Sequence, residues 1–406
     1  MVVLYFSLDD FDSLTSYRSI NTDLLREFQK HGHRIVVVSP SERKKKLPTR
    51  MLCEDGSIIL KPRIGNIQKT NIIEKGISTI TIGSIIKSAI KKNLKNMRFD
   101  LILYCTPPIT FLSAIQFVKE RDGARTYLLL KDIFPQNAVD LGLLKKTGVK
   151  GILYKYFRGQ EKRLYRISDH IGCMSQANVD YIVKHNPEIN PEKVEVCPNS
   201  IEVIDKSVDD RTRKSIREKC GIPLNKKVFV YGGNLGKPQG IPFLIECLKE
   251  CRNIEDVFFL IVGDGTEYYL IKEYVESARP LNVKLMKRLP KEDYDTMVGA
   301  CDVGMIFLDH RFTIPNFPSR LLSYMAAKLP VLAVTDSNTD IGKVIVEGGF
   351  GWWCESDKTT CFASLVKRIY RTDFEGIRDR EFSYLINHFS VEKAYRIVEE
   401  KITVFT

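Results

Sequence analysis

The sequence predicts an α/β protein built from two doubly wound parallel sheets, and three observations carry that expectation. The chain is 406 residues long, too long for one ordinary core and well matched to two domains. Short apolar runs alternate along it with stretches of helical period, the rhythm of βαβ units. A glycine-rich segment, Gly232-Gly233-Asn234-Leu235-Gly236-Lys237-Pro238-Gln239-Gly240, follows one such run and leads into a helical stretch opening at Pro242.

In the first half the expected strands are Val2–Phe6, Arg34–Val38, Leu101–Tyr104 and Thr126–Leu130, with Ser19–Gly32 and Ile109–Val118 as crossover helices. A polar, proline-containing stretch, Asn186–Ser200, and the charged segment Ile204–Lys219 interrupt the rhythm, placing the boundary near residue 200. In the second half the expected strands are Val228–Tyr231, Val257–Val262, Val283–Met286, Val303–Phe307 and Val331–Val334. Loops after parallel strands gather at the carboxyl edge of their sheet. The glycine-rich segment, Gly263-Asp264-Gly265, Lys287–Pro290, His310–Ser319 and Thr335–Asp340 are therefore expected around one crevice. A glycine-rich turn entering a helix offers free N–H groups at the positive end of the helix dipole, where phosphate oxygens are favoured. Many such turns hold nothing, and it is the convergence of loops that weighs toward a ligand here.

Charge is divided unevenly. Residues 1–200 carry 32 Lys+Arg against 20 Asp+Glu, and residues 201–406 carry 30 against 30, so the whole +12 excess lies in the first half. Basic clusters there (Arg43–Lys46; Lys87, Lys91, Lys92, Lys95 and Arg98; Lys145 to Arg163) suit a polyanion or an anionic membrane surface. Over Ile82–Met97 the pattern sets Ile85, Ile86, Ile90 and Leu94 on one helical face with Lys87, Lys91, Lys92 and Lys95 around it. Two readings stay open for it: an interfacial helix, or a core-packing helix with a solvated lysine face. No finger, RNP-like or helix-turn-helix pattern accompanies the charge, which argues against nucleic acid. Ten cysteines are scattered without CxxC pairs or metal spacing and read as reduced thiols. No apolar run of about 18 residues occurs, and the start lacks a basic n-region, so a cytoplasmic location is expected. Asp9-Asp10 and Asp209-Asp210 are adjacent pairs in expected loops, and no essential metal ion or other cofactor is expected.

These residues resemble the GT-B glycosyltransferases of family 4, and among them the bacterial enzymes that build capsule and O-antigen repeats on a polyprenyl diphosphate carrier. The resemblance covers nearly the whole chain. It is carried by Lys131-Asp132-Ile133-Phe134-Pro135-Gln136 with Ala138–Leu143, by Pro198-Asn199-Ser200-Ile201-Glu202, by Gly233–Gly240, by Val262–Gly265 and by Phe317-Pro318-Ser319-Arg320-Leu321-Leu322-Ser323-Tyr324-Met325-Ala326. It implies two Rossmann-like domains facing across a cleft: residues 1–200 for the acceptor and the membrane, 201–383 for the nucleotide-sugar donor, and 384–406 returning to the N-terminal domain. The implied reaction moves a sugar, an N-acetylated or deoxy hexose, from a UDP-sugar to a polyprenyl-diphosphate-linked saccharide with retention of configuration. The implied setting is the inner face of the cytoplasmic membrane, to which the protein binds peripherally through Lys87, Lys91, Lys92 and Lys95.

The resemblance implies roles residue by residue. The donor diphosphate would rest on Gly233, Asn234 and Gly236, with Lys237 and Arg320 as catalytic cations and Gln239, Gly265, Pro318, Ser319 and Ser323 lining the site. Arg288 and Leu289 would meet the base, and Asp340 the sugar or phosphates unless it serves only as a helix cap. Asp132 stands where relatives place a cleft histidine and is the catalytic candidate; a salt bridge with Lys131 or another basic neighbour is the plain alternative. The sequence departs from the family where an Arg and a Lys are replaced by Asn234 and Gln239. It departs again where a pair of glutamates would fall near Pro315 and at Ser323, which leaves ribose recognition open. A nucleotide-sugar 2-epimerase, which would consume UDP-sugar without acceptor, and a non-catalytic sugar- or lipid-binding relative, which would bind donor without turnover, stay open as alternatives.

Overall fold

A computed structural model describes residues 1–68 and 70–403. The chain forms two compact units: Met1–Glu202 with Val391–Thr406, and Val203–Ser390.

The strands of the first unit are β1 (Val2–Phe6), β2 (Arg34–Val38), β3 (Ser41–Glu42), β4 (Arg50–Glu54), β5 (Ser57–Lys61), β6 (Arg63–Ile64), β7 (Leu101–Thr106), β8 (Arg125–Leu130), β9 (His170–Cys173) and β10 (Val194–Val196). Eight of them make one sheet in the order β10-β9-β8-β7-β1-β2-β5-β4, parallel throughout except for the β4–β5 hairpin, while β3 and β6 pair separately. The central strands are buried along their length, because a doubly wound parallel sheet is covered on both faces and so reads as near-continuous apolar sequence. One cover is the helix Ile20–Lys30, started by a capping box in which Ser19 and Thr22 bond reciprocally. It shares an apolar cluster with Ala394, Tyr395 and Val398 of the last helix, Val391–Thr403, and with Val3, Tyr5 and Val37 of the sheet.

The helix that contains Ile82 runs Ile72–Asn93. Ile82, Ile86, Ile90 and the following Leu94 are all buried, and the Lys87 and Lys91 ammonium groups lie 5.4 and 4.9 Å from the Phe117 ring. Of the two readings the core-packing one is favoured: Ile86, Ile90 and Leu94 of the expected face are buried in the protein's own core and Ile85 is half-buried, while Lys91 and Lys92, with Lys95 just past the helix end, are exposed.

In the second unit β11 (Lys227–Asn234), β12 (Val257–Asp264), β13 (Val283–Lys287), β14 (Val303–Phe307), β15 (Val331–Thr335) and β16 (Gly351–Glu355) form an all-parallel sheet in the order β13-β12-β11-β14-β15-β16. The strand order reverses between β11 and β14, the topological switch point. The segment read as one run from Tyr384 is two helices. Ile377–Phe389 stays with the second unit, and the return begins at Val391, whose N–H bonds to the Ile201 carbonyl at 3.0 Å. Ser390 breaks the run with an extended backbone. Val404–Thr406, at the end of that predicted run, lie outside the described residues.

At the amino edge of the second sheet Asp302 accepts from Val228 N–H (2.7 Å) and from Arg217 Nη2 (2.6 Å), and also pairs with Arg213. Arg217 is buried and donates Nε to the Ala300 carbonyl. Removing one partner of a buried pair leaves an uncompensated charge. Asp302→Ala is expected to lower the stability of this unit by about 3–5 kcal/mol, read from urea unfolding; a loss within error of zero would show that the pair does not hold the edge.

Candidate active site

The site is built where β11 and β14 part. Their ladder holds only Phe229↔Val303 and Val230↔Gly304. Beyond it the gap is filled by Tyr324, from the helix Arg320–Ala326. Its buried hydroxyl accepts the Gly232 N–H at 3.2 Å and shares its one proton between the carbonyls of Met305 (3.1 Å) and Val230 (3.3 Å). A Cβ on Gly304 would lie 2.4 Å from the Tyr324 ring, so glycine is required there. Burial pushes the phenol up to about 12, with Arg320 pulling the other way, and Tyr324 therefore stays a neutral bridge at physiological pH.

The same helix opens with Arg320. Its guanidinium lies over the Tyr231 ring at 4.3 Å from the centroid, a stacked, desolvated geometry that favours arginine. It has no carboxylate partner among the described residues, and its Nη1 makes no hydrogen bond. Gly233, in the left-handed region at φ 124°, passes so close that a Cβ there would stand 3.4 Å from Nη2.

Around this cation the loops after five strands are joined. Leu235 donates to the Asp264 carbonyl (2.9 Å), and Glu267 to that of Leu235 (2.9 Å), linking the turns after β11 and β12. Asp309, after β14, donates to the Pro238 carbonyl at 3.0 Å and forms a two-point pair with Arg311. Asn338, after β15, donates to the Phe312 carbonyl at 2.6 Å. Tyr294, on the helix after β13, packs against Gly232. Lys237 is exposed; Glu267 nearby has its carboxyl raised by burial, with Lys237 opposing. Buried Asp336 accepts from the Asn338 and Thr339 N–H groups and is raised to about 6 by burial.

In the first unit Asp132 follows β8 at the carboxyl edge. Its backbone carbonyl accepts from Thr106 Oγ1 (3.0 Å), while its carboxylate accepts from Ile133 N–H (2.8 Å) and Asn137 Nδ2 (2.6 Å). Lys131 turns away to Asn21 Oδ1, and Asp132 has no ion-pair partner among the described residues. Burial raises its carboxyl to about 6, against the two hydrogen bonds that lower it.

Comparison with known proteins fits this architecture. A profile described as "Glycosyl transferases group 1" matches residues 212–381, and "Glycosyltransferase Family 4" matches residues 20–203. WbjE of Pseudomonas aeruginosa, named a probable glycosyltransferase, is 26% identical over 325 residues, 79% of this chain and 78% of that protein. WcaI of Escherichia coli K12, whose name places it in colanic acid biosynthesis, is 24% identical over 246 residues, 60% of this chain and 57% of that one. The crystal structure of Anabaena HepE with UDP and glucose superposes with a TM-score of 0.71 at 15% identity, covering 99% of both chains. The chain is a GT-B glycosyltransferase.

Within this glycosyltransferase the structure brings Gly233, Asn234, Gly236, Lys237, Gln239, Gly265 and Arg320 to one edge of the second sheet; Arg288 and Leu289 follow β13, and Pro318, Ser319 and Ser323 flank Arg320. Two details differ from expectation. Gly232, Gly233 and Asn234 belong to β11 and not to the loop, because they pair with Val262, Gly263 and Asp264. The Gly236 N–H is already taken by Gln239 Oε1 (3.3 Å), which also accepts from Asn234 Nδ2 (3.0 Å). The two neutral residues that replace the family cations are thus bonded to each other. Gly265 is fixed by close approach, since a Cβ would stand 2.3 Å from the Leu235 carbonyl oxygen. Asp340 takes the N-cap position of Ile341–Glu347 without a side-chain capping bond. The single trio of metal-competent groups among the described residues, Glu27, His31 and Glu392, lies in the first unit, its carboxylates engaged by Lys30 and Arg396. Tyr231, Tyr294 and Tyr324 were missed by sequence reasoning. Gly304, a lone glycine inside an apolar strand, was the available signal of close approach.

Two outcomes are expected. Tyr324→Phe strands the Gly232 N–H and two carbonyls, costing about 1–3 kcal/mol, measurable by thermal unfolding; an unchanged midpoint would leave the bridge without structural weight. Asp132 binds its proton more tightly folded than unfolded, so its contribution to stability falls as pH rises from about 4 to about 6 and stays lost above. Asp132→Asn should therefore stabilise the fold by on the order of 1 kcal/mol at pH 7 and not at pH 4, compared by melting curves at both pH values; an equal change at both would refute the buried-carboxylate account.

Proposed function

We propose that this glycosyltransferase moves a sugar, an N-acetylated or deoxy hexose, from a UDP-sugar to a hydroxyl of a polyprenyl-diphosphate-linked saccharide, with retention, in polysaccharide synthesis at an anionic membrane face. The observation that carries the donor reading is Arg320: a cation packed on Tyr231 beside Gly233, with no anion of its own. A diphosphate supplies the missing charge, and a guanidinium fork can engage two of its oxygens at once. Lys237 adds a second charge from the adjacent turn, and in this reading the two cations stabilise the leaving UDP without a metal ion.

In the transfer the bond from the anomeric carbon to the diphosphate oxygen breaks and the bond to the acceptor oxygen forms on the same face. The acceptor proton passes to the departing phosphate oxygen, so no protein base is demanded. Asp132 is proposed as the carboxylate that acts on the transferred sugar; most of it is ionised at pH 7, given its position near 6. The polysaccharide setting is supported by WcaI and its colanic acid name, and the nucleotide by HepE, solved with UDP and glucose.

Calorimetric titration with UDP, GDP and dTDP in the presence of EDTA tests the donor assignment. UDP is expected to bind best, and Arg320→Ala to weaken it on the order of 10- to 100-fold, the worth of a charge-assisted hydrogen bond. Undiminished UDP affinity in the variant would remove Arg320 from the site. Absence of nucleotide binding in the wild type would overturn the donor reading and favour a non-catalytic protein.

A further inference from the structure

The helix Gly148–Ile167 is buried mainly along its second half, with Gly151 the one buried residue of its first half. Its second half contributes Glu161, Leu164 and Tyr165 to the interior, with Glu161 held by Arg158 and Tyr165. Its first half stands out from the first unit. Val149 is 86% exposed, Ile152 72%, Leu153 41% and Tyr156 39%, and Leu143 in the preceding turn is 51% exposed. The four helical positions are spaced i, i+3, i+4 and i+7, which places them on one face. The helix start is pinned by Gly148, at φ 66°, and by Gly151, where a Cβ would stand 2.7 Å from the Lys146 carbonyl oxygen. The stripe is therefore presented by a fixed backbone.

The charged residues within this stretch of chain are all basic. Residues 141–160 contain Lys145, Lys146, Lys150, Lys155 and Arg158 and no Asp or Glu. Lys145, Lys150 and Lys155 are exposed and have no carboxylate within ion-pair distance among the described residues. Exposed aliphatic residues ringed by unpaired lysines match a bilayer with an anionic headgroup layer, where the apolar face enters the acyl boundary and the lysines meet phosphates. A second copy of the chain is the poorer fit, since it would bring the same cations face to face. Phe157 of this helix meets Phe134 edge-on, ring centroids 5.1 Å apart, and Phe134 follows Asp132 by two residues in the chain.

We infer that the face formed by Leu143, Val149, Ile152, Leu153 and Tyr156 docks this protein on an anionic lipid surface, the task first expected of the Lys87–Lys95 helix. The inference rests on the proposed work at a membrane face and locates it.

Cosedimentation with vesicles of phosphatidylcholine alone, and of equal parts phosphatidylcholine and phosphatidylglycerol, is the test. The wild type should bind the mixed vesicles and not the neutral ones. Val149→Ser with Ile152→Ser should lower the partition coefficient about tenfold or more, and neutralising Lys145, Lys150 and Lys155 should lower it by roughly fivefold per lysine. Melting curves and UDP titration of each variant should match the wild type, because these side chains are exposed. Lys91→Gln with Lys92→Gln and Lys95→Gln should bind nearly as the wild type does. The inference is overturned if the wild type ignores the mixed vesicles, if the serine pair binds undiminished, or if sedimentation velocity shows a dimer that the serine pair dissolves. UDP binding without vesicle binding would sink this inference alone, whereas vesicle binding without UDP binding would sink the donor reading alone.

Discussion

The carboxyl edge of the second sheet is held together by one hydroxyl in the gap between β11 and β14. Two parallel strands that separate after two paired residues leave backbone N–H and C=O groups facing each other with nothing to bond. A buried orphan of this kind costs about 1–3 kcal/mol. Water could satisfy them only by flooding the sheet. Tyr324 satisfies three of them from one rigid ring, and Gly304 is the concession that lets the ring in. Because Tyr324 lies one helical turn past Arg320, the bridge that holds the crevice open also aims the cation into it. The fold's demand for backbone satisfaction and the site's demand for charge are met by one seven-residue helix.

The charge economy of the edge follows. The bonded Asn234 and Gln239 occupy the Gly236 amide, so the glycine-rich turn is closed on itself by neutral groups and is a weaker anion cradle than its glycines suggest. In the proposed donor reading, attraction for a diphosphate then has to come from side-chain cations. Arginine suits the buried position better than lysine would, because its charge is delocalised, weakly hydrated and able to stack on Tyr231 while still presenting a fork. Lys237, exposed at the turn, can only add a screened and longer-range contribution.

Much of the fold was legible because fully buried parallel strands announce themselves as apolar runs: β1, β2 and β14 fall where Val2–Phe6, Arg34–Val38 and Val303–Phe307 place them. What escaped did so for physical reasons. The end of β11 is Gly-Gly-Asn, residues with little strand preference, made extended by their pairing with β12. The β4–β5 hairpin was signalled by Asp55-Gly56, both at positive φ as a two-residue hairpin turn requires, yet Ser57–Lys61 is too short an apolar run to stand out. The helix containing Ile82 carried a period that a membrane-facing and a core-packing helix share, and only its neighbours decide between them. Of the site, Arg320 and the glycines could be named from the chain, but the tyrosines could not, since a buried aromatic on a helix reads as core until its hydroxyl is seen to bridge strands.

The uneven charge of the two halves then takes on a physical meaning. In the second unit acidic and basic residues balance, so a lone stacked arginine can be selective: there is no broad positive field to collect anions indiscriminately. The first unit holds nearly all of the excess, 35 Lys+Arg against 24 Asp+Glu, and in the proposed docking its lysines around Val149 and Ile152 would act at long range before any contact is made, drawing the protein toward an anionic surface over about a Debye length of 8–10 Å. The aliphatic side chains then add short-range, salt-insensitive attachment that the lysines cannot supply. Concentrating diffuse charge where orientation on a surface is proposed, and a single directional charge where a ligand is proposed to bind, would let one chain meet two anionic partners without either site competing for the other's.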